Sequence, residues 1–235
     1  MNIKICILFC LPFMAFSQSD RFKASLLVGP SITWMTSDDK FISTESNRFG
    51  FKIHVQGEYL FNSRYSFTAG LGLSLLQGGK LGYQKGGNLW SETSLSLPKG
   101  DSLPNGVSLS YRVNYLDIPF GFKMRTVQYG KFRFYAHLPE FSIAIRTGAK
   151  GDIIGSGVAS SDENIKHQIL FINFGWGLGI GTEYELKDEF NLLFGVRFFQ
   201  SLNDVTDNSG TYFDGSKQNS KDKINALDFR IGLVF

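Results

Sequence analysis

Eight stretches of the chain alternate apolar with polar or small residues at a period of two, and apolar residues at helical spacing are nearly absent. Successive side chains of a strand point to opposite faces, so each stretch is expected to form a strand with one apolar face. The runs are Phe22–Trp34, Phe49–Phe61, Tyr65–Leu75, Val107–Met124, Phe132–Ile145, Ile172–Tyr184, Phe190–Phe198 and Leu227–Phe235. In the fourth, the apolar set passes from Val107, Leu109, Tyr111, Val113 and Tyr115 to Leu116, Ile118, Phe120, Phe122 and Met124. That slip of phase predicts a β-bulge near Tyr115. In the fifth, the apolar set resumes out of phase after Pro139, which has no N–H for a ladder and predicts a second break.

Short and long connections alternate strictly. Asn62–Arg64, Thr126–Gly130 and Glu185–Glu189 are short, whereas Thr36–Asn47, Gly79–Gly106, Thr147–His167 and Asn203–Lys223 are long. The pattern predicts an all-β fold, an eight-stranded antiparallel up-and-down transmembrane barrel. Its short turns and both chain ends would be periplasmic, and its long loops extracellular. No stretch after the first segment is long and apolar enough to predict a membrane-spanning helix.

A soluble eight-stranded barrel would alternate in the same way, so side-chain volume must decide which face points in. The interior of such a barrel is just wide enough for side chains to fill it. Most of the 23 Phe lie on the apolar faces, with many Leu, Ile and Tyr, and those rings would not fit inside together. The apolar faces therefore point outward, into lipid. The opposite phase carries Gly, Ser and Thr together with Lys23, Lys52, Glu58, Arg112, Asp117, Lys123, Arg133, Glu183, Arg197, Asp228 and Arg230. A lipid-facing Arg or Lys at mid-depth would cost about 2–4 kcal/mol. Buried charges persist when paired, so these residues are expected to form a salt-bridged lumen without a continuous channel. The alternative is a small anion-selective pore.

The ends of the chain carry further signals. Lys4, the apolar stretch Ile5–Phe16 and the small residues Ala15 and Ser17 read as a signal peptide, residues 1–17, cleaved between Ser17 and Gln18. Residues 18–235 would then form the barrel domain. Both cysteines, Cys6 and Cys10, precede that cleavage, which excludes disulfides and thiolate chemistry from the mature chain. Alternating Leu227, Phe229, Ile231, Leu233 and Phe235 read as the strand signal of the outer-membrane assembly machinery. Tyr59, Phe61, Tyr65, Phe122, Tyr129, Phe132, Tyr184 and Phe190 flank the short turns as an interfacial girdle, and Trp34, Tyr111 and Phe198 lie towards the loops.

Catalytic and ligand-binding patterns are weak. Gly175, Gly177, Gly179 and Gly181 recur every second residue with no helix following, which suits small lumen residues rather than a dinucleotide loop. His54 and His137 fall on inward phases and His167 at a loop end, with no local metal-ligand spacing. Ser160 and Ser161 lie near His167 in a Ser-rich loop, and Asp204, Asp207, Asp214 and Asp222 do not match a calcium-loop spacing. No cofactor, no metal and no catalytic residue are expected. The formal charge of +3, without a basic cluster, argues against nucleic acid as a partner. The long loop Gly79–Gly106, with Gly86, Gly87, Trp90 and Pro98, is the candidate partner surface.

The segment Tyr115-Leu116-Asp117-Ile118-Pro119-Phe120, the Gly-rich strand around Phe174–Gly179, the Ala15-Phe16-Ser17-Gln18 signal end and the terminal Phe235 resemble the PorT-like outer-membrane beta-barrel family of Bacteroidetes-type bacteria. The resemblance spans essentially the whole mature chain. It implies an outer-membrane location and a non-enzymatic barrel serving type IX secretion or envelope assembly. The partners so implied are outer-membrane lipid and lipopolysaccharide, the assembly machinery and type IX secretion components. A structural or adhesive surface barrel and a lipid A-modifying barrel enzyme are the other readings.

Overall fold

A computed structural model describes residues 21–97, 102–187 and 190–235. The signal segment with its Ser17–Gln18 cleavage pair, and Pro98, lie outside the described residues. Eight long strands follow the eight alternating runs: β1 Phe22–Thr36, β2 Arg48–Leu60, β3 Tyr65–Tyr83, β4 Val107–Arg125, β5 Phe132–Gly155, β6 Ile172–Lys187, β7 Phe190–Ser201 and β8 Lys223–Val234. Each pairs antiparallel with its neighbour in sequence. β8 returns to β1, from Ser25↔Val234 to Thr36↔Lys223, and closes the sheet into an eight-stranded barrel. Closure leaves no sheet edge along the wall.

The outward apolar face is a fact of exposure. Phe51, Ile53, Leu71, Leu73, Phe122, Phe134, Ile180, Phe194, Phe229 and Ile231 are all more than a third exposed, while the alternate residues are largely buried in the lumen. Aromatic rings collect near the short turns. Phe22 packs on Tyr59 at 5.0 Å, Tyr59 on Phe61 at 5.6 Å and Phe132 on Tyr184 at 4.9 Å between ring centroids.

Phase breaks occur where the chain spends an extra residue. The expected break at Pro139 is present, as the β5–β6 register shifts between His137 and Glu140. The bulge expected near Tyr115 is displaced onto the neighbouring strands. In β4, Tyr111, Val113, Tyr115, Asp117 and Lys123 all lie buried on one phase, so β4 does not slip. Instead β3 spends Leu75 and Leu76 opposite Asn114, and β5 spends Thr147 as its extra residue. Leu76 adopts a positive φ of 56°, and its N–H donates to Asn114 Oδ1 at 2.8 Å.

The change of polarity along β4 therefore marks a change of surroundings. Towards the turns, its outward residues are apolar and its inward ones charged. Towards the loops the two faces exchange character: Val107, Leu109, Tyr111, Val113 and Tyr115 point inward and are at most 2% exposed. Outward-facing Arg112 pairs with Asp152 at 2.6 Å and Asp162 at 2.8 Å. Arg112 is thus no part of the lumen, and Tyr111 lies towards the loops as expected but points inward, into a core.

The loop end is also taller than the runs suggested. β3 continues to Tyr83 and β5 to Gly155, where the connection was expected to have begun, and Val158–Asn164 folds back on β5 as a hairpin. The short strand Ile42–Ser46 pairs with the top of β3, and Gly87–Asn88 pairs with Thr211–Tyr212 across the barrel mouth.

If the extra residue of β3 sets the phase above it, deleting Leu76 will turn Leu81 and Tyr83 out of the core. Such a protein is expected to lose the protease-resistant loop end while keeping a heat-modifiable barrel band on detergent gels. An unchanged tryptic pattern would contradict that register.

Candidate functional site: a closed lumen in two layers

The lower layer of the lumen is ionic. Nearest the turns, Glu58 of β2, Lys123 and Arg125 of β4 and Glu183 of β6 meet across the barrel. Arg125 Nη2 donates to Glu58 Oε2 at 2.6 Å and to Glu183 Oε1 at 2.9 Å, and its Nε donates to Glu183 Oε2 at 2.9 Å. Its Nη1 donates to Glu58 and, at 3.1 Å, to Ser66 Oγ. Lys123 Nζ donates to Glu183 and lies 3.5 Å from Glu58 Oε2.

Further along the axis, Glu140 of β5 accepts two bonds from Arg230 of β8, at 2.8 and 2.6 Å, in the forked geometry that suits a guanidinium. Arg197 Nε lies 3.4 Å and His137 Nδ1 3.3 Å from the same carboxylate. Asp228 then receives Lys52 Nζ at 2.9 Å, Arg197 Nη1 at 3.3 Å and Ser31 Oγ at 2.6 Å. Above these, Asp117 is bound by His54 Nε2 at 3.0 Å, by Ser74 Oγ at 3.0 Å and by Ser142 Oγ, joining β2, β3, β4 and β5.

This layer balances. The buried cations are Lys52, Lys123, Arg125, Arg197 and Arg230, and the buried anions are Glu58, Asp117, Glu140, Glu183 and Asp228, five of each. The Gly-rich strand β6 gives these groups room. A Cβ on Gly175 would sit 2.2 Å from the Phe199 ring, and one on Gly181 would sit 2.6 Å from Tyr135 Oη.

Eight of the expected lumen residues, Lys52, Glu58, Asp117, Lys123, Glu183, Arg197, Asp228 and Arg230, come together here. Lys23 and Arg133 stand instead at the turn-end mouth, half-buried. Arg125 and Glu140 complete the network without having been singled out. Arg125 follows Lys123 by two residues on the same phase, which was a legible signal, whereas Glu140 is brought inward by the bulge at Pro139.

The upper layer is apolar. Trp90, from the long loop between β3 and β4, is only 2% exposed and reaches Tyr111 Oη with its Nε1 at 3.2 Å. Tyr111 and Tyr83 hydroxyls share a bond of 2.8 Å. Leu89, Leu103, Ile153, Ile165 and Val205 fill the space around them. A Cβ on Gly151 would lie 2.4 Å from the Trp90 ring, so glycine there admits the indole. Trp90 is therefore part of a plug and not of an exposed partner surface, contrary to the sequence expectation for this loop.

Asp204 and Asp222 are taken up in the structure of the loop itself, and Asp214 pairs with Lys85 of the loop between β3 and β4 at 2.8 Å. Asp204 Oδ1 accepts the N–H of Thr206 at 3.1 Å and of Asp222 at 3.0 Å. Asp222 is fully buried, and burial, with Asp204 nearby, pushes its carboxyl up to about 6. Among the described residues no group of three metal-ligating side chains is gathered. His167 lies in the short 3₁₀ turn Lys166–Gln168, and Ser160 donates to Glu163.

A closed antiparallel barrel, apolar outside and ionic within, defines a membrane-spanning β-barrel. The chain matches the family described as outer membrane protein beta-barrel domain over residues 16–207, and it belongs to that family. The family places it in the outer membrane. No curated protein sequence matches it. Among solved structures it is similar to neisserial surface protein A, with a TM-score of 0.46 and 11% identity over 91% of this chain and 95% of that one. It is also similar to OprG of Pseudomonas aeruginosa, with a TM-score of 0.44 and 10% identity over 92% and 96%. Ail, the attachment invasion locus protein of Yersinia pestis, gives a TM-score of 0.40 and 11% identity over 92% and 99%.

Two outcomes follow from this geometry. Glu140→Gln removes the carboxylate that holds Arg230 and leaves Arg197 with Asp228, and is expected to destabilise the barrel by about 3–5 kcal/mol in urea unfolding from lipid vesicles. Lys150→Ala, which removes an exposed partner of Asp162, should leave the midpoint nearly unchanged. At the plug, the raised Asp222 carboxyl means that the folded state holds its proton between roughly pH 4 and 6 while the unfolded chain does not. Its contribution to stability is present at low pH and is lost as pH rises through 6. Asp222→Asn should therefore gain thermal stability over the parent at pH 7.5, by up to about 2–3 kcal/mol, and show little difference from it near pH 4.

Proposed function

We propose that this protein is a non-enzymatic, non-conducting outer-membrane barrel that acts through its loop and turn surfaces, with both chain ends on the periplasmic side. The observation that carries the reading is the filling of the lumen along its axis, first by five buried cations and five buried anions and then by the Trp90 plug. That filling supports a lumen without an open aqueous path, and Ser31, Ser74, Ser142 and His54 within it are bonded to carboxylates. In planar bilayers the purified protein is expected to show no ion conductance, and stable conductance steps would contradict the reading.

The finer role rests on resemblance. Tyr115–Phe120 lies where the lumen changes from ionic to apolar, with Tyr115 in the plug and Asp117 in the charge layer. Its likeness to PorT-like barrels favours an accessory role in type IX secretion or envelope assembly, with Met1–Ser17 as the signal and Leu227–Phe235 as the assembly strand. Deletion of the gene should then reduce export of type IX cargo. Unchanged secretion and motility would favour a structural or adhesive surface barrel, and altered lipid A mass spectra would favour a lipid-modifying enzyme.

A further inference from the structure

At the turn end, beyond the neutral charge layer, a polar cavity of about 160 Å³ opens. It is lined by Lys23, Lys131, Arg133, Glu183, Glu185 and Gln128. Glu183 is already bound by Lys123 and Arg125 within a cluster that Glu58 makes neutral. Glu185 is held by Gln128, whose Nε2 donates to it and whose Oε1 accepts Arg133 Nη2 at 3.2 Å. The ion pairs of Glu183 go to Lys123 and Arg125, and Lys23 feels Glu183 and Glu58 through longer-range attraction. Arg133 Nε is moreover buried without a hydrogen-bond partner. The described residues that line the mouth thus set Lys23, Lys131 and Arg133 against one carboxylate outside the neutral cluster, Glu185, an excess of two positive charges among them.

We propose that this mouth binds a phosphomonoester group. Such a group carries about −1.5 to −2 at neutral pH and so matches the excess, whereas one carboxylate would leave a cation unmatched. The guanidinium fork of Arg133 suits two oxygens of a tetrahedral phosphate, and the two ammonium groups add unforked charge at its sides. The volume is roughly ten times the 10–15 Å³ that admits one water, so the group fits without moving the wall. A partly enclosed site against a low-dielectric barrel also screens these charges less than open water does. The phosphate has two sources, the headgroup of a lipid at the rim or a soluble phosphate ester.

The test uses the full barrel folded in detergent, titrated calorimetrically with inorganic phosphate and with glycerol 3-phosphate at constant ionic strength. Saturable binding is expected, weakened at least tenfold in Arg133→Gln and in Lys131→Gln, partly kept in Arg133→Lys, and unaffected in the loop-end variant Lys150→Gln. Heat-modifiable migration of each variant shows that it is folded. Binding that does not saturate, an equal response to acetate, or variants that bind like the parent would overturn the site. Nanodiscs containing phosphatidic acid that weaken the apparent affinity for soluble phosphate, relative to phosphatidylcholine, make a lipid headgroup the source; equal affinity makes it a soluble ester.

Discussion

Everything in this protein follows from a fixed, narrow interior inside a wall whose outer surroundings change along the axis. An eight-stranded barrel holds little more than one inward side chain per strand at each level. Where the outside is lipid, the wall presents Phe, Leu and Ile outward, and polar groups are left to the lumen. Those groups can be charged because Glu58, Glu140, Glu183 and Asp228 each meet a Lys or Arg across the lumen, while Asp117 is held by His54, Ser74 and Ser142. Where the outside becomes water, the demand reverses. Arg112, Asp152 and Asp162 pair on the surface, and the interior becomes an ordinary apolar core around Trp90 and Tyr111.

That reversal explains what the sequence could and could not reveal. Strand positions and the inward charges of β1, β2, β7 and β8 were legible because the outward phase of each run stays apolar, even though Leu27, Leu193 and Val234 also point inward. In β4 the apolar residues exchange faces when the medium changes, and on paper this is indistinguishable from a bulge in the same strand. The actual bulges, at Leu75–Leu76 and Thr147, carry no Pro, and the positive φ of Leu76 has no glycine to announce it. Arg112 was consequently placed inside. Glu140 was hidden by the opposite circumstance: Pro139 announced a break but not the face on which the next residue would land. The burial of Trp90 depends on contacts between a loop and strands distant in sequence, which no local pattern encodes.

On the proposed reading, a lumen closed at both levels leaves function to the surfaces. The outer wall is committed to lipid and the upper core to the plug, so the exposed loops and the turn-end mouth are what remain for recognition. The Tyr115–Phe120 segment sits between the two layers, with Asp117 tying four strands through His54, Ser74 and Ser142. The segment is thus a structural junction between the ionic and apolar parts of the lumen.

The central claim, a lumen sealed by paired charges and an apolar plug, is tested most directly by thiol accessibility. From Leu11 onward the chain has no cysteine, so single cysteines report without background in protein expressed from Gln18. Ser201→Cys and Ser74→Cys replace buried lumen residues, and Ser161→Cys an exposed loop residue. In the folded barrel, a small charged methanethiosulfonate is expected to modify the loop cysteine promptly and the lumen cysteines only after unfolding. Equal rates at all three positions would show an open, water-filled interior and contradict the account.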